Sequence, residues 1–99
     1  MVRISIDLDR DDLDAAEHIR GVLQGRYSVP VRIYRTLSNH YHIETDHIDS
    51  LSATEAFSLR YVLGDDPARL RRDIARCADG VAYDFLFTSK RGTQRVRVA

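Results

Sequence analysis

The chain has one cysteine, one methionine, two prolines, five glycines and no tryptophan in 99 residues, and its fifteen acidic side chains balance fifteen basic ones. A lone Cys77 excludes an internal disulfide and a cysteine-based zinc site within one chain. No apolar run approaches the roughly 20 residues of a membrane-spanning helix, so no membrane partner is expected. Residues 1–12 go directly into a strand-like alternation with acids, unlike a signal peptide, which points to the cytoplasm. Zero net charge argues against coating of nucleic acid by bulk electrostatics. Lysine is also scarce, since fourteen of the fifteen basic residues are arginine. The guanidinium fork suits phosphate oxygens, but a GC-rich or thermophilic genome explains the bias more simply.

What is present reads as one globular domain spanning 1–99, large enough for a single modest core. The charge is uneven. Asp7, Asp9, Asp11, Asp12 and Asp14 crowd the start, whereas Arg69, Arg71, Arg72, Arg76, Lys90, Arg91, Arg95 and Arg97 make the last third basic. Residues 2–9 alternate, with Val2, Ile4, Ile6 and Leu8 on one side and Arg3, Ser5, Asp7 and Asp9 on the other, as in a strand with one buried face. Asp11 or Asp12 then caps an amphipathic helix that Gly25 is placed to end. β-branched and aromatic residues predict strands over 31–37 and 40–45, joined by a tight turn at Ser38-Asn39. Ser52 to Glu55 has the form of a capping box opening a helix that Gly64 stops. Asp66-Pro67 starts another, which runs to Asp79-Gly80. A fourth strand is expected over 81–88, and the tail turns at Arg91-Gly92 with room for a short edge strand.

The order is therefore βαββαβ, with the second helix in two pieces. Crossover and hairpin rules favour a ferredoxin-like or RRM-like α+β sandwich with spatial strand order 4-1-3-2, helices on one face and the other face open. That arrangement puts Asp7 and Asp9 beside His40, His42 and Glu44 on the open face, with Asp84 on a flanking strand. Carboxylates two apart on a strand can hold Mg²⁺ or Mn²⁺, and imidazoles two apart can hold a borderline metal. Each pair alone is more simply the wet face of an amphipathic strand, and the two together bring the functional reading level with that one. His18 and His47 read as surface, Cys77 as core, and the Arg69–Arg76 group as a solvated helix face paired with Asp66 and Asp73. Of the two candidate stacking platforms, Tyr34 remains, because Tyr41 alternates onto the buried side.

The strand-borne Asp7-Leu8-Asp9, followed after one helix by residues 36–42, resembles the catalytic signature of archaeo-eukaryotic primases and primase-polymerases. That resemblance implies an RRM-like palm acting on DNA or nucleoside triphosphates with Mg²⁺ or Mn²⁺. Asp7 and Asp9 would be metal ligands, His42 would meet the incoming phosphates, and Asp84 would be the third acid. Ser38 and His40 would belong to the nucleotide-binding turn, although Asn39 and His40 stand where the family is glycine-rich. A reduced domain of this kind suits an archaeal virus or plasmid. His40-Tyr41-His42 also resembles the metal motif of HUH nickases, for which Tyr61 would be the nucleophile. The third expectation is a non-catalytic binding or assembly domain, with a homodimer packing the polar sheet face.

Overall fold

The structure is a computed structural model and describes residues 2–84, 89–90 and 93–99. Helix α1 (Leu13–Tyr27) follows strand β1 (Ser5–Leu8), and the hairpin β2 (Val31–Arg35) and β3 (Tyr41–Thr45) comes next. Helices α2 (Ala53–Val62) and α3 (Pro67–Ala78) precede three two-residue strands, β4 (Ser89–Lys90), β5 (Thr93–Gln94) and β6 (Val96–Arg97). The α+β class expected from the sequence is observed.

Local chemistry explains the element ends. Asp12 caps α1 by accepting the Ala15 N–H, Ser52 caps α2 by accepting the Glu55 N–H, and Asp66 caps α3 by accepting the Ala68 N–H. Gly25 does not end α1. The helix runs on to Tyr27, which packs against the core, and Ser28 supplies the left-handed cap at φ 53°. One glycine inside a helix costs only about 1 kcal/mol relative to alanine, and core contact beyond it offsets that. The β2–β3 turn closes through the Thr36 N–H to the His40 carbonyl at 2.9 Å, with Asn39 at φ 60°. Asparagine tolerates this left-handed conformation where most residues do not.

The sheet order is β1-β3-β2-β6, with every neighbouring pair antiparallel. One face carries Ile4, Ile6, Leu8, Val31, Ile33, Tyr41 and Ile43, which pack with Ala16, Ile19 and Leu23 of α1 and Ala56 of α2. Burial of these apolar side chains drives the fold at roughly 25 cal/mol per Å².

The strand order expected from the sequence, 4-1-3-2, is not found. Val81–Asp84 is not strand, and Asp84 has φ 70°, a left-handed conformation that breaks an extended run. The rest of that expected strand, 85–88, lies outside the described residues, as does the Arg91-Gly92 turn. The outer edge of β1 is already occupied. The Asp7 N–H donates to Asp65 Oδ1 at 2.8 Å, the Asp66 N–H donates to the Asp7 carbonyl at 3.0 Å, and Arg69 donates to the Ser5 carbonyl at 3.1 Å. A strand there would compete for the same backbone groups. The fourth position falls instead to β6, on the far side of β2.

Candidate functional site

The second face of the sheet is polar, as the alternation requires. Register sets Asp7 opposite His42 and Ser5 opposite Glu44 across β1 and β3, and Arg32 and Tyr34 of β2 opposite Glu44 and His42. The expected neighbours are therefore brought together. Asp7 Oδ1 lies 3.7 Å from His42 Nε2, and Asp9 Oδ1 lies 2.7 Å from His40 Nδ1. They form two separate carboxylate–imidazole pairs, one half-buried and one largely exposed. Ser38 sits exposed in the β2–β3 turn, Tyr61 is exposed at the end of α2, and His18 and His47 are exposed as expected.

The face is not open along β1 and β3. Ser5 is 0%, His42 4% and Glu44 6% exposed, because arginines and Asp84 cover them. Arg95 places its fork on Glu44, with Nη1 at 3.0 Å and Nη2 at 3.1 Å, and also donates from Nη1 to His42 Nδ1 at 3.2 Å. The same guanidinium lies 3.7 Å from the centre of the Tyr34 ring, so one side of that stacking platform is taken. Arg3 donates to Asp84 Oδ2 and to the Asp84 carbonyl, both at 2.8 Å, while Arg69 donates to Asp84 Oδ1 at 2.8 Å. Ser5 Oγ bonds both Asp84 and Arg69. Behind them Arg60 bridges Asp65 at 2.8 Å and Asp73 at 2.7 Å, all three being buried. No buried polar side-chain atom among the described residues lacks a partner.

Arg69 is thus not part of a solvated helix face. It is buried and pairs with Asp65 rather than Asp66, whose side chain caps α3. Asp73 pairs with Arg60 first and with Arg76 only at 4.0 Å. Arg3 was legible, since it alternates onto the face of Ser5 and Asp7. Arg95, Arg60 and Asp65 were missed, and no local pattern marks Arg95 as the partner of residues fifty positions away.

Electrostatics follow from this packing. Burial lowers the His42 pKa to about 4, helped by the positive charges of Arg95 and Arg69. Burial raises the Asp7 carboxyl against the pull of Arg69, and raises Asp84 against Arg3 and Arg69. No protein-family model, curated protein or solved structure matches the chain.

These residues do not fit the Mg²⁺ or Mn²⁺ that the resemblance implies. Asp84 reaches β1 at Ser5, one pleat repeat or about 7 Å from Asp7, and its oxygens are held by arginines. Arg95 keeps His42 Nδ1 in the acceptor role, so the neutral ring carries its proton on Nε2 and offers no lone pair towards Asp7. No group of three or more His, Cys, Asp or Glu side chains among the described residues is arranged to hold a metal ion.

Proposed function

We propose that the chain is a non-catalytic binding or assembly domain, and that its polar sheet face is part of the scaffold rather than a reaction centre. One observation carries this reading: the acids best placed to complete a catalytic cluster, Asp84 and Glu44, each lie in arginine hydrogen bonds. A palm-type site needs carboxylates free to take up a metal and a phosphate. Here removing Asp84 would take from Arg3 its hydrogen-bonded carboxylate and from Arg69 one of its two carboxylate partners, and removing Glu44 would leave Arg95 without its carboxylate.

The two readings differ in what Asp84→Ala does to stability. Functional carboxylates that repel one another tend to cost stability, so their removal is neutral or stabilising. A structural carboxylate behaves oppositely. Asp84→Ala is expected to lose about 3 kcal/mol in urea unfolding, as for one partner removed from a largely buried pair. A variant at least as stable as wild type, together with a manganese-dependent strand cleavage or nucleotidyl transfer that disappears with it, overturns the reading.

A further inference from the structure

With Arg69 and Asp73 turned inward, α3 presents a different outer surface from the one its sequence suggests. Asp73 is 2% exposed and held by Arg60, so it offers little to the outer arginines. Arg71, Arg72 and Arg76 are exposed, as are the small Ala68 and Ala75. At 100° per residue these five share an arc of about 140°. Among the described residues, no carboxylate forms an ion pair with Arg71 or Arg72. The one acid on the arc is Asp79, at its C-terminal end.

We propose that this arc of α3 is a docking surface for the phosphodiester backbone of a nucleic acid. Charge complementarity argues for it. Guanidinium forks match phosphate oxygens, and alanines between them let a strand approach the helix closely. Spacing agrees as well. From Arg71 to Arg76 the helix rises about 7.5 Å, and the long arginine side chains, spread over that arc, extend the reach to neighbouring phosphates of one strand. Three guanidiniums can then meet about three phosphates of one strand. Binding of this kind holds any sequence and is weak, because phosphate contacts position a protein without reading bases.

The inference rests on the binding-domain reading and names the partner, and it is tested without metal so that the two can fail separately. A fluorescein-labelled random-sequence DNA duplex is titrated with the protein in EDTA, and fluorescence anisotropy is followed from about 50 mM salt upwards. Wild type is expected to bind with a log–log salt slope of about −3, near −0.9 for each phosphate met. Arg71→Gln/Arg72→Gln is expected to bind about tenfold or more weakly, with the slope reduced by about two. Arg26→Gln, on α1 and paired with Glu55, is expected to bind as wild type does. Absence of wild-type binding at the lowest salt overturns the proposal. So does equal binding by the double variant, or equally tight binding of a labelled polyglutamate, which would point to an acidic protein partner. None of these results bears on whether Asp84 is structural.

Discussion

Arg95 can only donate hydrogen bonds, so the contact at His42 Nδ1 requires that nitrogen to be unprotonated and the ring neutral. A proton added to His42 must enter a buried site flanked by the charges of Arg95 and Arg69, which is why its pKa falls to about 4. In the unfolded chain the same ring titrates near 6.5. Between those values the unfolded state binds the extra proton and the folded state does not, so stability falls as pH drops from 6.5 towards 4. The full effect is roughly 3 kcal/mol. Asp7 and Asp84, raised by burial, take up protons more readily in the folded state and oppose this loss as the pH nears the carboxylate range. His42→Gln removes the titration and is expected to flatten the dependence of Tm on pH over that window. An unchanged slope in the variant would mean that His42 titrates normally.

At the scale of elements, the decisive feature is the guarded edge of β1. An exposed edge strand offers unpaired N–H and C=O groups and invites pairing with another strand. Asp65 prevents this by accepting the Asp7 and Asp66 N–H groups while pairing with Arg60 and Arg69. Its side chain is fully buried, so Asp65→Ala leaves the Asp7 amide without its acceptor and takes one of two carboxylate partners from each of the buried Arg60 and Arg69. A loss of about 3–5 kcal/mol is expected, with faster hydrogen exchange at the Asp7 amide. A loss under about 1 kcal/mol with unchanged exchange would show that other groups hold the edge. This edge also explains where sequence reasoning stopped. Periodicity and caps located the helices, and alternation put Asp7 and Asp9 of the first strand and His40, His42 and Glu44 of the third on their polar sides, because both signals are local. The final strand position was not legible. Val81–Tyr83 alternates plausibly, but Asp84 turns left-handed, and β6 is too short to show a period. The arginine partners of Asp84 and Glu44 depend on tertiary proximity that no local pattern encodes.

For the whole molecule, a radius of gyration of 12.9 Å is close to the ~13 Å usual for a chain of this length. Apolar residues fill one side of the sheet, and an arginine–carboxylate network occupies the other. Such a network need not add net stability, because desolvation offsets much of the attraction. It does fix which groups face each other, and it leaves the polar face neutralised from Asp84 to Glu44. The most direct test is calorimetric titration with Mn²⁺ of wild type, Asp7→Ala/Asp9→Ala and His40→Ala/His42→Ala. If the face is scaffold, wild type gives no saturable heat of binding and the variants match it. Saturable binding by wild type that is lost with either the aspartates or the histidines would contradict this, and would make the polar face a metal centre.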